Sequence, residues 1–400
     1  MTATDGVAAG LSIQMQMIGD RPSQKEDCSL YFHIPFCKRK CDYCHFYVIP
    51  DEENAKQQLE DSFQLEWKLL QPLLSNKRIV TLYFGGGTPS LFGPQRIAAL
   101  IDLIQNSCEI HPDAEITLEA NPENASMEIM QAYAEAGINR VSIGIQTLDS
   151  ELLTLLGRLH SPETALNAIH NTFHVGIDNI TIDLMYDLPK QTLDHWQTTL
   201  TLIQDLPIKH LSLYNLTIEP HTIFFKKHDQ LRPFLPNEET SLEMYEMAIE
   251  RLENRGLHRY EISAFAKPGF ESRHNLGYWI GRPFLGLGPS AFSYWEGKRF
   301  RNIAHLNRYS QLLKSGQLPR DFEEKLEPDA HLRELFVIHL RLRKGVDCNE
   351  FFSNHGSLDT TTQMIVRRLI EEGFLCMNGT HLLLTQKGVL FYDLVASELI

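Results

Sequence analysis

Three cysteines within eight residues constrain this chain more than any other feature. Cys37, Cys41 and Cys44 directly follow residues 29–34, an apolar run with the composition of a strand. Thiols at this spacing can converge on one soft metal centre from a single loop. Three thiolates would leave one corner of a four-iron cluster open to a ligand other than protein. The spacing therefore indicates a site for chemistry rather than a purely structural one.

Two other interpretations of the cysteines remain open at this point. A structural zinc site would need a fourth cysteine or histidine, and His45 is the nearest candidate. Because His45 is adjacent to Cys44, both side chains would have to reach the same metal in a strained geometry. The three cysteines could also be incidental. The stretch favours a cluster over zinc.

The C-x3-C-x2-C spacing resembles the signature of the radical S-adenosylmethionine (SAM) enzymes. In that family SAM chelates the open iron of a [4Fe-4S] cluster, and the reduced cluster can cleave SAM to a 5′-deoxyadenosyl radical. With the preceding stretch Tyr31-x-His33-Ile34-Pro35-Phe36, the segment is similar to one branch in particular. That branch contains the oxygen-independent coproporphyrinogen III oxidases and the related HemW-type haem chaperones.

The rest of the chain predicts an α/β fold. A length of 400 residues suits a large α/β domain with a smaller one, and 43% hydrophobic residues can supply the core. Six strand-like runs alternate with helical patterns, which predicts a parallel sheet with right-handed crossovers. The predicted strands are 29–34, 79–84, 114–120, 140–145, 179–185 and 210–214. The resemblance implies a partial (βα)6 radical SAM barrel.

A run of glycines follows the second predicted strand. Gly85, Gly86 and Gly87 precede Thr88, and glycines without a Cβ allow close backbone approach and expose N–H groups to an anion. Such a run alone more often marks a turn than a ligand site, but this one ends a strand on the same rim as the thiols. The resemblance implies that Gly86, Gly87 and Thr88 contact SAM.

Four polar residues lie near successive strand ends, where a barrel builds its site. Carboxylates can bind ribose hydroxyls or an ammonium group, and an arginine can pair with a carboxylate. These residues are Glu119, Gln146, Arg158 and Asp183. The resemblance implies that all four, together with Tyr31 and Tyr43, contact SAM.

A histidine beside aromatic residues marks the second half of the chain. His274 begins the pattern HNxxYW, which ends at Tyr278 and Trp279. A lone histidine of this kind is usually a hydrogen-bonded structural residue. The pattern is nevertheless a feature of the HemW branch, where it is linked to haem binding, and an imidazole flanked by aromatic rings suits haem iron. We expect an exposed His274 and a movable C-terminal module to serve a protein that binds haem and releases it.

Four segments are predicted along the chain: a flexible tail at 1–28, the barrel core at 29–235, an extension containing HNxxYW at 236–325, and a C-terminal domain at 326–400. Within the extension we expect one strand at 259–266, a turn-rich connection at 284–293 and a helix at 302–318. Helices followed by a two-strand pattern predict a small winged-helix-like C-terminal domain. Its predicted recognition helix carries few cations, so we favour a lid or docking role over DNA binding.

Two features of this chain distinguish the two branches of the family, the oxidases and the haem chaperones. The coproporphyrinogen oxidases have a further cysteine where this chain has Phe46, and they carry an N-terminal substrate-binding segment that is not evident here. These features favour the haem chaperone, with the oxidase as the alternative, and no residue is assigned a catalytic role. The family commonly has glycine in place of Asp187, a substitution that only a positive φ would make costly.

Net charge and cysteine content limit the cellular compartment and the binding partners expected for this chain. A net charge of −14 argues against extended binding of nucleic acid or of an anionic membrane, while leaving room for a local basic pocket or a peripheral membrane contact. The odd count of seven cysteines predicts a reducing compartment. Without a signal peptide or an apolar run near 18 residues, we expect a soluble cytoplasmic protein. The expected partners are haem and haem-accepting apoproteins, and the expected state is a monomer or weak homodimer.

Overall fold

A twelve-stranded sheet organises the computed structural model, which describes residues 25–400. The strands of the first half are β1 (Glu26–Ile34), β2 (Phe36–Cys37), β3 (Ile49–Pro50), β4 (Lys77–Gly86), β5 (Glu109–Ala120), β6 (Arg140–Gln146), β7 (Asn179–Tyr186) and β8 (His210–Asn215). The helices between them are α1 (Glu53–Leu70), α2 (Pro94–Gln105), α3 (Met127–Glu135), α4 (Ser150–Leu156), α5 (Pro162–His174) and α6 (Leu193–Leu202).

The second half adds shorter elements. Its strands are β9 (His258–Glu261), β10 (Ala264–Ala266), β11 (Phe284–Leu287), β12 (Phe292–Trp295), β13 (Lys298–Asn302), β14 (Arg320–Lys325), β15 (Val346–Asp347), β16 (Leu375–Asn378) and β17 (His381–Leu384). Its helices are α7 (Ile223–Lys226), α8 (His228–Leu231), α9 (Glu238–Asn254), α10 (Arg273–Trp279), α11 (Leu306–Lys314), α12 (Pro328–His339), α13 (Cys348–His355), α14 (Thr360–Glu371), α15 (Gln386–Leu390) and α16 (Tyr392–Leu399).

The predicted α/β class and the six parallel strands are confirmed. The strand order is β14-β13-β12-β11-β1-β4-β5-β6-β7-β8-β10-β9, so the six strands lie side by side in an open sheet that is extended at both edges. Parallel strands end at the same edge of the sheet, so the loops after them meet there. Within residues 25–400, no helix is both long and apolar enough to cross a membrane.

The two faces of the sheet differ in polarity. Alternate residues of a strand point to opposite faces. Leu30 and Phe32 of β1 and Phe84 of β4 belong to the apolar core beneath the helices. Tyr31 and Tyr83, which alternate with them, stack on the opposite face at 6.0 Å between ring centroids. The inner face of the sheet is therefore lined by polar and aromatic groups, and it leads to the rim where the cysteine loop lies.

Three predictions for the extension are wrong in detail. The strand expected at 259–266 is two antiparallel strands, β9 and β10. The turn-rich connection expected at 284–293 contains β11, which pairs in parallel with β1, and β12. A Cβ at Gly286 would meet the carbonyl oxygen of Phe292 at 2.1 Å, so this glycine marks a close approach between strands rather than a turn. The helix expected at 302–318 is shorter, because Asn302 ends β13 and α11 covers Leu306–Lys314.

The first described residues differ from the flexible tail that the sequence predicts for residues 1–28. Residues 1–24 of the segment expected to be flexible lie outside the described residues, and β1 already begins at Glu26. Cys28, expected in the tail, is buried and belongs to the main core.

The C-terminal unit matches the winged-helix-like prediction. Three helices, α12 to α14, precede the hairpin of β16 and β17, and β15 completes a three-stranded sheet. The unit has its own core, which includes Phe336, Phe351 and Leu369. Arg341 joins the unit to the barrel: its guanidinium lies 4.2 Å from the ring centroid of Trp279 and 3.4 Å from Glu261. The same group lies 5.1 Å from the ring centroid of Tyr392 in α16.

Candidate metal centre and cofactor site

The cysteine loop leaves the sheet at the end of β1. Cys44 donates its backbone N–H to the carbonyl of Cys41 at 3.1 Å, which folds the loop into a compact turn. The Sγ atom of Cys37 lies 3.4 Å from Oγ1 of Thr88, on the neighbouring loop. Burial raises the pKa of the Cys37 thiol to about 11, and it also raises that of Cys44. All seven cysteines are free.

The arrangement of donors suits a cluster better than zinc. Among residues 25–400, no group of three or more His, Cys, Asp or Glu side chains is arranged to hold a single metal ion. A zinc site needs its ligands around one ion at about 2.0–2.3 Å. In a four-iron cluster each thiolate binds a different iron, so its ligands are spaced more widely. The C-x3-C-x2-C spacing of the three thiols is typical of the second kind of site.

The glycine run packs against the cysteine loop. A Cβ at Gly87 would lie 2.8 Å from the carbonyl oxygen of Phe36, and one at Gly86 would lie 2.8 Å from the ring of His33. Gly86 also has a φ of 119°, which favours glycine. The close backbone approach expected from the sequence is therefore in part a contact between two segments of the protein itself. It holds the glycine run against residues 33–36.

Glu119 holds the glycine loop from the next strand. Its Oε2 accepts the backbone N–H of Gly86 at 3.0 Å, and its Oε1 accepts the hydroxyl of Tyr83 at 2.8 Å. Burial raises the pKa of Glu119 to about 7, an effect that the hydrogen bond from Tyr83 opposes and the charge of Asp183 reinforces. Glu119 therefore fixes the position of the Gly86 backbone through this hydrogen bond.

Arg158 connects three parts of the rim. Its Nη1 lies 3.6 Å from Sγ of Cys41, and its Nη2 donates to Oδ1 of Asn121 at 2.9 Å and to the carbonyl of Gly144. Asn121 in turn donates to Oγ1 of Thr88 at 3.1 Å. The guanidinium places a positive charge beside a thiol that would be an anion when bound to iron.

Asn121 and His33 are site residues that sequence reasoning missed. Asn121 follows Glu119 by two residues, and its place after a strand end was the available signal. His33 donates through Nε2 to the carbonyl of Tyr47 at 3.1 Å, so its Nδ1 accepts the Tyr31 hydroxyl at 3.1 Å. Burial lowers the pKa of His33 to about 4, which keeps the ring neutral.

The remaining predicted contacts lie on the same rim and inner face. Gln146 ends β6 with a φ of 64°, a left-handed conformation that is uncommon outside glycine. Asp183 on β7 accepts from the hydroxyl of Ser142 at 3.4 Å, and burial raises its pKa to about 6. Tyr43 packs against the apolar cluster that contains Leu156 of α4. The predicted cysteines and cofactor contacts thus lie on one rim and on the inner face below it, where His274 also packs near Tyr31.

His274 packs on the inner face of the sheet, with its ring centroid 4.7 Å from that of Tyr83 and 6.4 Å from that of Tyr31, and the expectation that it is exposed is wrong. Its side chain is 1% exposed. Its Nδ1 lies 2.8 Å from Oγ1 of Thr81, and its Nε2 lies 2.8 Å from the hydroxyl of Tyr278. Oε1 of Glu115 accepts its backbone N–H at 3.0 Å. Burial lowers the pKa of His274 to about 3, so the ring is neutral and both nitrogens are occupied.

Asp187 has a backbone conformation that glycine, the common residue of the family at this position, adopts more easily than aspartate. Its φ is 64°, in the left-handed region. Its Oδ1 accepts the hydroxyl of Ser241 at 2.5 Å, and its Oδ2 accepts from Nδ2 of Asn215. These bonds hold the loop after β7 against α9.

Comparisons with known proteins show the family of the chain. Residues 31–203 match the Radical SAM superfamily, and residues 326–391 match the HemN C-terminal domain. The chain is 34% identical to "Heme chaperone HemW" of Bacillus subtilis over 369 residues, 90% of this chain and 96% of the relative. It is 32% identical to the Escherichia coli protein of the same name, with 91% and 96% covered.

One solved structure has the same fold along nearly the whole chain. Coproporphyrinogen III oxidase (HemN) from Escherichia coli superimposes with a TM-score of 0.83, covering 94% of this chain and 90% of that protein at 23% identity. Such an identity shows the fold alone, whereas the sequence relationship to the HemW proteins extends over almost their full length. The chain belongs to the HemW family of the radical SAM superfamily.

Proposed function

We propose that this protein is a haem chaperone, which binds haem and delivers it to haem-accepting apoproteins. The observation that carries the proposal is the 34% identity to the Bacillus subtilis "Heme chaperone HemW" over 96% of that relative. The oxidase alternative is less well supported, because Phe46 stands where a further cysteine is expected. The Phe46 side chain is 53% exposed and can supply no ligand to a cluster.

We further propose that Cys37, Cys41 and Cys44 hold a [4Fe-4S] cluster whose open iron takes SAM. A bound cluster would supply one-electron chemistry at that iron. The residues around it orient SAM: the glycine loop, fixed by Glu119, would face its amino end, and Arg158 would pair with its carboxylate. In the same proposal Tyr31, Tyr43, Gln146 and Asp183 complete the SAM contacts, together with Gly86, Gly87 and Thr88.

Haem binding is proposed near the HNxxYW pattern, where the sequence assigns His274. Ligation by His274 would require its ring to leave both Thr81 and Tyr278, so the bonds that now hold it would have to be exchanged. We propose a cytoplasmic location, in keeping with the free cysteines, and a monomer or weak homodimer. Haem and its acceptor proteins are the proposed partners.

Anaerobic reconstitution tests the proposal. The full chain, loaded with iron and sulfide, is assayed in parallel for haem transfer to apomyoglobin and for conversion of coproporphyrinogen III with SAM and a reductant. We expect one haem per chain, transfer to the acceptor and no protoporphyrinogen IX. A Phe46→Cys variant serves as control and should not gain oxidase activity. Protoporphyrinogen IX formed by the wild type would favour the oxidase instead.

A further inference from the structure

Two segments at the cysteine loop are basic, although the chain as a whole is acidic. Residues 38–46 and 223–232 contain six cations and two carboxylates, whereas the whole chain has a net charge of −14. The cations are Lys38, Arg39, Lys40, Lys226, Lys227 and Arg232, and the carboxylates are Asp42 and Asp229. We propose that these two segments, which we call the basic surface, dock an acidic one-electron carrier protein that reduces the cluster. The inference rests on the proposed [4Fe-4S] cluster.

Backbone and side-chain contacts join the two segments into one surface. Phe224 of α7 donates its backbone N–H to the carbonyl of Asp42 at 3.0 Å. Oδ1 of Asp42 lies 3.9 Å from Nη2 of Arg39, and its Oδ2 lies 3.8 Å from Nζ of Lys227. Tyr43 packs against the apolar cluster that includes Phe224. These contacts fix α7 against the cysteine loop.

Much of the positive charge on the basic surface is available to a partner. The side chain of Asp42 is 14% exposed and is shared between two cations. Lys38, Lys40 and Lys226 are exposed, and within residues 25–400 none of them forms an ion pair with a carboxylate. Nζ of Lys40 donates instead to the carbonyl of Phe46 at 3.0 Å. These cations can pair with carboxylates of an acidic protein.

Exposed apolar side chains lie beside these cations. Phe46 and Phe225 are each about half exposed. Leu159, equally exposed, lines a cleft together with Lys38 and Arg39. Aromatic side chains with charged groups around them are typical of protein-binding surfaces. Electron-transfer complexes bury less than about 1,200 Å² in total, so a small surface is sufficient.

The position of the basic surface favours an electron carrier over other acidic partners. Residues 38–40 directly separate Cys37 from Cys41. Phe46 follows Cys44 by two residues. A carrier docked there brings its cofactor next to the loop that holds the cluster, and electron transfer is fast only over short distances. One electron then passes from the carrier, which is oxidised, to the cluster, which is reduced.

A small anion and an anionic membrane fit the basic surface less well. The cleft beside Lys38 and Arg39 has a volume of about 10 Å³, which is the space of a single water molecule. A membrane would face a wide area of a chain with a net charge of −14, and it would be repelled outside the basic surface. A small acidic protein covers the basic surface alone.

The first test measures binding of an acidic flavodoxin, a one-electron FMN carrier, to the full reconstituted chain. Fluorescence anisotropy of labelled flavodoxin gives the affinity at low and at high salt. We expect Lys226→Glu to bind about fivefold more weakly at low salt, and the double variant with Lys38→Glu about tenfold more weakly or worse. High salt should remove the difference. Lys314→Glu makes the same charge change in the exposed last turn of α11 and should bind like the wild type.

The second test follows reduction of the cluster by its electron paramagnetic resonance signal. Flavodoxin hydroquinone should reduce the cluster of the double variant about tenfold more slowly than that of the wild type at low salt. Photoreduced 5-deazariboflavin, an uncharged reductant, should reduce both at the same rate. Equal slowing with the two reductants would mean that the substitutions alter the cluster itself, and it would overturn the docking assignment.

The remaining outcomes separate this inference from the proposed function. Equal flavodoxin binding by Lys226→Glu and Lys314→Glu, in chains that hold the cluster, would overturn the basic surface and leave the haem-chaperone proposal standing. Binding to phosphatidylserine vesicles that is lost in Lys226→Glu, without binding of flavodoxin, would assign the surface to a membrane instead. A wild type that assembles no cluster would reject the cluster and its electron supply together.

Discussion

The rim that carries the cysteine loop and the interior around His274 use their polar side chains for different purposes. At the rim, Arg158 contacts the Sγ of Cys41, Thr88 contacts the Sγ of Cys37, and Asn121 links the two. In the interior, Thr81 and Tyr278 bond the two ring nitrogens of His274, and Glu115 accepts two backbone N–H groups of α10. The three thiols are only partly buried and can reach a ligand, whereas the ring of His274 is buried and bonded to protein.

The comparison shows that residue type and sequence pattern do not by themselves identify a ligand. A histidine in a recognisable pattern, such as His274, can be a fully bonded part of the interior. What decides is whether the hydrogen bonds of the side chain are already satisfied.

The largest effect should come from the cysteine loop. Replacing Cys37, Cys41 or Cys44 with alanine should abolish the cluster, because two thiolates leave two irons without protein ligands. Iron and sulfide content after anaerobic reconstitution, with the brown colour of the cluster, measures this. The fold should persist, since the loop lies outside the apolar core.

The other cysteines are the controls for that experiment. Cys108→Ala and Cys376→Ala should retain full iron, and Cys28→Ala should retain it with a loss of about 1 kcal/mol in the free energy of unfolding, because Cys28 is buried. Loss of iron in Cys28→Ala would contradict the three-ligand assignment.

In the interior around His274 we expect a loss of stability rather than of the cluster. His274→Asn should lower the free energy of unfolding by about 3 kcal/mol at pH 7, because Thr81 and Tyr278 lose their partner in the interior. Urea denaturation measures it, with the surface variant His170→Asn as control. If His274→Asn were as stable as the wild type, the hydrogen bonds described here would contribute little.

The stability loss in His274→Asn should depend on pH, and the pKa shift of His274 fixes the direction of that dependence. The pKa of His274 is about 3 in the folded chain and 6.5 when unperturbed. As the pH falls below 6.5, the unfolded chain takes up a proton that the folded chain excludes, so the wild type loses stability at this position. The asparagine variant does not, and the difference between the two should therefore shrink by about 2 kcal/mol from pH 7 to pH 5. A constant difference would mean that His274 takes up a proton as readily in the folded chain as in the unfolded chain.

The smallest effect concerns Asp187, in the loop after β7. Glycine would relieve the left-handed backbone by about 1 kcal/mol but would lose the bonds to Ser241 and Asn215, about 1 kcal/mol each. Asp187→Gly should thus be destabilised by about 1 kcal/mol, and Asp187→Ala, which keeps the strain, by about 1 kcal/mol more. Thermal unfolding of the pair measures the difference, and equal stabilities would remove the argument from φ.

The six core strands were predictable because their apolar alternation is set by burial on one face, as in Leu30 and Phe32 of β1. The strands β11 and β12 were not, because Gly286 and Gly288 read as turn residues. In the structure, Gly286 lets Phe292 approach across the sheet. Gly286 also pairs with Tyr31 of β1, far away in the chain, so no local pattern predicts that β11 joins this sheet.

The candidate site was predictable to the same extent. Strand ends locate Glu119, Arg158 and the cysteines on one rim, because parallel strands end together. Sequence could not tell that Glu119 bonds to Gly86 or that His274 is buried, since hydrogen-bond saturation depends on partners more than 30 residues away.

Arg341 has a consequence for observing the protein in solution. Its guanidinium packs on the indole of Trp279 and on the ring of Tyr392, so one side chain spans the seam between the barrel and the C-terminal unit. Trp67, Trp196 and Trp295 are buried elsewhere in the main core, whereas Trp279 lies at this seam. The fluorescence of Trp279 should therefore report docking between the two units without an attached dye.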